Sequence, residues 1–242
     1  MFYNVMGRNN YFQFKQFRIE QKNSAMKVGV DGVLLGAWAD VSGAERILDV
    51  GAGTGLIALM LAQRSKARIT AIEIETLAAK EAQENLNDSP WLDRVEVLHS
   101  SFQEYAKSTT DKFDLIVSNP PYFSRASKAA SDERTLARHN DSLRFEELIF
   151  YSSGLLNEKG SLAIIIPSEA FEELNKNAIT HKLCLKRITQ IRPKPSKKVN
   201  RALAQWSVIE QQAKIQELCI YEEGGSFTRD YIDLTRDFYL NF

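Results

Sequence analysis

Four consecutive residues, Asn119-Pro-Pro-Tyr122, carry groups suited to gripping a flat molecule with an amino group. The Asn119 side-chain oxygen and the Pro120 carbonyl accept hydrogen bonds, and the Tyr122 ring offers a planar face. Pro120 and Pro121 lack an N–H and push the residues before them into extended geometry, so the turn is stiff. It describes a clamp for the NH2 of a heterocycle or of an amide. Taken alone, it reads equally well as a plain surface turn.

The element that must deliver this turn is the apolar run over residues 113–117, whose length and β-branched content fit a buried strand. In an open α/β sheet, ligands meet the residues just beyond such strand ends. A second unit of this kind lies upstream. Residues 46–50 read as a strand, Gly51-Ala-Gly-Thr-Gly55 follows directly, and a helix over 56–63 starts without a spacer. Glycines let backbone N–H groups approach a ligand that any Cβ would hold off. Asp49, Gly51, Ala52, Gly53, Thr54 and Gly55 are therefore candidate cofactor contacts. The spacing is G-x-G-x-G, and Leu56 stands where a dinucleotide fingerprint would carry its last glycine, which disfavours an oxidoreductase.

Residues 68–74 form the next strand, with Glu73 and Ile74 at its tip, where an acid can take both hydroxyls of a ribose. A helix over 77–87 and a strand over 94–99 leave Ser101 and Phe102 at the same edge. Ahead of these, Lys27, Val30 and Asp31 introduce an apolar helix reaching residue 39. Asp31 is there either a cap or a group facing a ligand at the helix start. The order β, glycine turn, α, β-Glu, α, β, then a strand into Asn119 is a doubly wound α/β sheet.

At 242 residues the chain suits one domain: a lid and cofactor-contacting segment over 1–40, a core over 41–212 and an extension over 213–242. No run of about 18 apolar residues suggests a membrane span, and the polar first ten residues lack the core of a signal peptide. Cys184 and Cys219 read as reduced thiols, and a cytoplasmic protein is expected. His99, His139 and His181 are too scattered for a zinc site. The net charge of zero conceals a stretch over residues 182–201 with eight Lys and Arg and no acid. It is either a track for phosphates or a solvated hairpin loop.

Together, Asp49-Val-Gly-Ala-Gly-Thr-Gly55 and Asn119-Pro-Pro-Tyr122 resemble the class I S-adenosylmethionine-dependent methyltransferases that act on amino nitrogens. Four motifs narrow the resemblance: Ala25-Met-Lys-Val-Gly-Val-Asp-Gly-Val-Leu-Leu-Gly-Ala-Trp38, Ser89-Pro-Trp91, Ser118-Asn-Pro-Pro-Tyr-Phe123 and Ala137-Arg-His139. They are similar to bacterial enzymes that methylate N6 of adenine 37 in a valine tRNA. The likeness spans nearly the whole chain and is clearest over residues 11–143. It implies a Rossmann-like, seven-stranded, mostly parallel sheet whose last strand is antiparallel, and S-adenosyl-L-methionine as cofactor. The implied partner is the anticodon loop of a tRNA, with no membrane or metal and a monomer or weak homodimer as the working form.

On this reading Asn119, Pro120, Pro121 and Tyr122 carry catalysis. Lys27, Val30, Asp31, Ser101 and Phe102 join the glycine turn, Asp49, Glu73, Ile74 and Asn119 around the cofactor. Tyr122, Phe123, Arg125, Arg138, His139, Lys194, Lys197, Lys198 and Arg201 are expected to meet RNA. The family pattern carries threonine at Val30 and an acid at Ser101, and both departures bear on cofactor affinity. The later elements agree: a helix over 145–156, a strand over 161–167, a helix over 171–179 and a hairpin of 183–191 with 203–210. Methylation of a guanine N2 in rRNA, of a DNA adenine or of a protein glutamine uses the same motif. A non-catalytic cofactor- or RNA-binding module is the alternative of another class.

Overall fold

The computed structural model describes residues 9–24, 26–121 and 143–242. Tyr122, Phe123, Arg125, Arg138 and His139 lie outside these residues.

A two-stranded antiparallel hairpin, β1 (Tyr11–Gln13) and β2 (Arg18–Glu20), comes first, then helix α1 (Val30–Trp38). The β-α units follow as β3 (Arg46–Val50), α2 (Leu56–Arg64), β4 (Arg68–Glu73), α3 (Thr76–Asn87), β5 (Val95–His99), α4 (Phe102–Ser108) and β6 (Phe113–Ser118). Beyond residue 143 come α5 (Phe145–Leu155), β7 (Leu156–Pro167), α6 (Phe171–Thr180), β8 (Cys184–Arg192), β9 (Arg201–Ser207), β10 (Lys214–Cys219) and α7 (Arg229–Thr235).

The main sheet has the order β10-β8-β9-β7-β6-β3-β4-β5. All its pairings are parallel except those of β9, which runs antiparallel to both β7 and β8. Alternate residues of each central strand enter opposite cores, so these strands read as continuous apolar runs. Ile47, Leu115 and Val117 join α1 and α2 on one face, and Leu48, Ile116 and Ile164 join α5 and α6 on the other. Gly36 brings α1 against α2, since a Cβ there would stand 2.7 Å from Met60 Sδ.

Seven expected strands are found, and an eighth, β10, is contributed by the C-terminal segment and pairs with β8. That segment carries an aromatic cluster of Tyr221, Phe227, Tyr231, Tyr239 and Phe242, which meets Phe12 and Phe14 of the hairpin. The two ends of the chain thus brace each other, with Lys15 Nζ donating to the Phe242 carbonyl at 3.0 Å. Helix α4 escaped the sequence reading although its start is well marked. Ser101 and Glu104 form a reciprocal capping box there.

Candidate functional site

Strands β3 and β6 are parallel neighbours in register, with Val50 opposite Ser118. The residues that follow each strand, Gly51 and Asn119, therefore leave the sheet side by side. The buried Ser118 hydroxyl reinforces this by donating to the Val50 carbonyl at 2.8 Å. β4 continues the sheet on one side of β3 and β6 on the other, which makes this the switch point where open α/β sheets hold ligands.

A cleft of ≈ 440 Å³ opens at that point. It is lined by residues 26–32, residues 51–54, Leu56, Ile57, Asn119 and Arg201. Lys27, Val30, Asp31, Gly51, Ala52, Gly53, Thr54 and Asn119 are thereby brought together from three separate segments. Met26, Val28, Gly29, Gly32, Leu56 and Ile57 also line it and were not singled out from sequence. Their signal was only adjacency, since they flank the residues that were. Gly32 lets α1 approach Leu56, since a Cβ there would lie 3.0 Å from Leu56 Cδ2.

The glycine turn needs its glycines for conformation as well as space. Gly51, Gly53 and Gly55 have φ of 73°, 56° and 80°, the left-handed region that a side chain strains. Beneath the turn, Asp49 is wholly buried; its Oδ2 accepts from the Ala58 N–H at 3.0 Å, and its Oδ1 has no protein partner. Burial pushes the carboxyl up to about 7, the Glu73 charge adds to this, and the Ala58 N–H opposes it. Glu73 is buried at the β4 tip and braces the turn: it accepts from the Gly53 N–H at 2.8 Å and from the Glu75 N–H at 2.9 Å. Ile74 beside it is 46% exposed, an apolar face left open at the sheet edge.

Ser101 and Phe102 are not among the cleft-lining residues. The Ser101 hydroxyl caps α4, accepting from the Glu104 N–H and donating to its carboxylate at 2.8 Å. Phe102 is buried in the core, edge-to-face with Tyr151. Pro120 is buried and Pro121 exposed, on either side of the elbow bond.

The basic stretch is divided by its partners. Lys186 pairs with Asp40 at 3.0 Å, Arg192 with Glu217 at 2.9 Å, and Arg187 lies over the Trp38 ring at 3.7 Å. Burial raises the Asp40 carboxyl, but hydrogen bonds from Lys186 and Ser42 outweigh it and hold the group down at about 2. Lys194 Nζ reaches the Glu223 carbonyl at 3.4 Å, while Lys197 and Lys198 stand exposed. Arg201 enters the cleft instead, its Nε 2.9 Å from Asp31 Oδ2. Of the eight cations, Lys186, Arg192 and Arg201 pair with acids of other elements, Arg187 stacks on Trp38, and Lys182, Lys197 and Lys198 stand exposed.

Among the described residues, no cluster of three or more His, Cys, Asp or Glu could hold a metal ion, and no helix is long and apolar enough to cross a membrane. Cys184 and Cys219 are free.

Residues 32–174 match the family model described as Methyltransferase small domain. The chain is 44% identical over 240 residues to a protein of Pasteurella multocida named tRNA1(Val) (adenine(37)-N6)-methyltransferase, covering 98% of this chain and 100% of the relative. A Bacteroides fragilis protein of the same name is 44% identical over 231 residues, covering 95% and 98%. Among solved structures, a protein of Agrobacterium tumefaciens described as a "predicted O-methyltransferase" superposes with a TM-score of 0.66 at 24% identity. That match covers 86% of this chain and 96% of the other, and it bears on the fold alone.

Proposed function

The chain belongs to the Methyltransferase small domain family, and from that premise we propose that it methylates N6 of adenine 37 in a valine tRNA, using S-adenosyl-L-methionine. The observation that carries the reading is the opening of Asn119 into the same cleft as the glycine turn, in a chain alike end to end to relatives of that name. A tRNA substrate assigns the protein to the cytoplasm.

The cleft suits this cofactor. Its volume admits a nucleoside joined to an amino acid, the glycines of the turn put no Cβ into that space, and Asp49 Oδ1 lies unpaired beneath. S-adenosyl-L-methionine, when bound, supplies an electrophilic methyl group on a sulfonium. Residues 51–54 with Lys27, Val30 and Asp31 hold it in this reading. Glu73 keeps spare lone pairs on both oxygens for ribose hydroxyls, since each oxygen accepts one N–H from the protein.

An adenine amino nitrogen is a poor nucleophile because its lone pair is delocalised into the ring. Asn119 Oδ1 and the Pro120 carbonyl accept its two N–H bonds, which draws the nitrogen toward tetrahedral geometry and aims the lone pair. Tyr122 stacks on the flipped base. Neither acceptor is a base at neutral pH, so the proton lost from the methylated nitrogen passes to water. Positioning and desolvation supply the rate. Lys197, Lys198 and Arg201 take RNA phosphates, with Phe123, Arg125, Arg138 and His139 assigned to the same substrate.

The test is incubation with labelled cofactor and unmodified tRNA, followed by digestion to nucleosides. Label in N6-methyladenosine from a valine isoacceptor supports the reading; label in guanosine, or only in protein, overturns it.

A further inference from the structure

Half of the cleft wall, residues 26–32, has no strand and only the first residues of α1 to hold it. Its backbone is tied from elsewhere. Glu81, on α3 and 2% exposed, accepts from the N–H groups of Lys22, Asn23 and Ser24 at 2.5, 2.8 and 2.9 Å, and from the Ser24 hydroxyl at 2.5 Å. Gln21, also buried, accepts from the Val28 N–H at 2.8 Å and so reaches the wall itself. One turn beyond Glu81, Asn85 accepts from the Glu20 N–H at 2.7 Å and donates to the Glu20 and Thr54 carbonyls, both at 2.9 Å. A single helix face therefore grips the segment leading into one wall and the glycine turn that forms the other.

We infer that Glu81 is a positioning residue for the cofactor, setting the separation of the 26–32 wall from the glycine turn without touching the ligand. This rests on the cleft being the cofactor site. A carboxylate is an acceptor on every side, and here it meets four donors. A carboxamide would turn NH2 hydrogens toward backbone N–H groups and leave buried donors unpaired. Burial works against the charge on Glu81, but the hydrogen bonds from Ser24, Asn23 and Lys22 prevail and keep the carboxyl below its usual range. The clamp is accordingly ionised at neutral pH. No other carboxylate on α3 is buried, and Glu20 pairs with the Lys22 side chain, whereas the N–H groups of residues 22–24 bond to Glu81.

The experiment compares wild type, Glu81→Gln and Ser24→Ala, well below their melting temperatures, by calorimetric binding of S-adenosylhomocysteine and by steady-state kinetics with tRNA. Glu81→Gln is expected to raise the dissociation constant and the cofactor KM by about tenfold, with kcat and the tRNA KM within about twofold of wild type. Ser24→Ala, which removes one of the four bonds, is expected to shift both cofactor constants by about threefold. A folded Glu81→Gln that binds like wild type, or that loses kcat at unchanged KM, overturns the inference. Should Glu81→Gln fail to fold, Ser24→Ala decides, and an unchanged dissociation constant overturns it. A folded wild type that binds no S-adenosylhomocysteine instead removes the cofactor reading itself.

Discussion

The two walls of the cleft are built in opposite ways. The wall over residues 51–54 is a strand-to-helix turn whose conformation comes from its own glycines and whose bonds run to adjacent elements: Gly51 and Ala52 N–H to Ile72 O, and Gly53 N–H to Glu73. The wall over residues 26–32 has little regular structure; Gln21 bonds it at Val28, and α3 side chains hold the segment that leads into it. A locally determined wall fails through backbone strain or a misplaced charge beneath it. A wall held at a distance loses alignment while the fold survives, and so yields a cofactor-binding defect in an intact protein.

The sharpest way to break that contrast lies under the local wall. Asp49 is raised to about 7 in the folded chain, chiefly by burial, so its protonated form favours the fold. The stability this contributes to the ligand-free protein is complete below about pH 4 and is lost as pH climbs through about 7. At about 1.4 kcal/mol per pH unit this amounts to at most about 4 kcal/mol. Asp49→Asn should flatten the denaturation midpoint over that window and raise it at pH 8; a slope parallel to wild type would show that the charge beneath the turn is not what limits this wall.

Next in size, Asn119→Ala at the elbow between the walls is expected to lower kcat on the order of a hundredfold, with S-adenosylhomocysteine binding changed by less than about threefold. A kcat near wild type would remove Asn119 from the chemistry. Gly55→Val then probes the residue that joins the local wall to α2. With φ of 80° and its Cβ site 3.5 Å from Ala82, it should destabilise the protein by about 2 kcal/mol, measured by denaturant unfolding, as well as weakening the cofactor. The smallest effect belongs outside both walls. Removing Lys197 and Lys198 together should raise the tRNA KM by about threefold and make the dependence of binding on salt shallower by about one to two phosphates, leaving cofactor affinity unchanged. An unaltered salt dependence would move the RNA surface elsewhere.

Much of the site was legible because its signals are short-range. A strand, three glycines and a helix in succession, or Asn followed by two prolines, carry their backbone preferences within a few residues, and the structure bears out the elements they announce. Helix α4 is equally local in its signal, the capping pair of Ser101 and Glu104. β10 was not legible, since the exposed residues of Lys214–Cys219 gain strand character only from the free edge of β8. The cationic run over residues 182–201 left two readings open for a different reason. Sequence shows which charges cluster along the chain, whereas Lys186 and Arg192 are neutralised by Asp40 and Glu217, far away in sequence.

By itself the order of residues determined the β-α succession, the glycine-lined turn and the stiff acceptor elbow, because dihedral preference, proline and alternating burial act between near neighbours. Only the tertiary structure decided that Val50 lies opposite Ser118, that Asp31 meets Arg201, and that a glutamate on α3 holds the segment leading into a cleft wall. Those contacts depend on strand order and helix placement, and a buried polar group takes whatever partner the fold sets within about 3 Å.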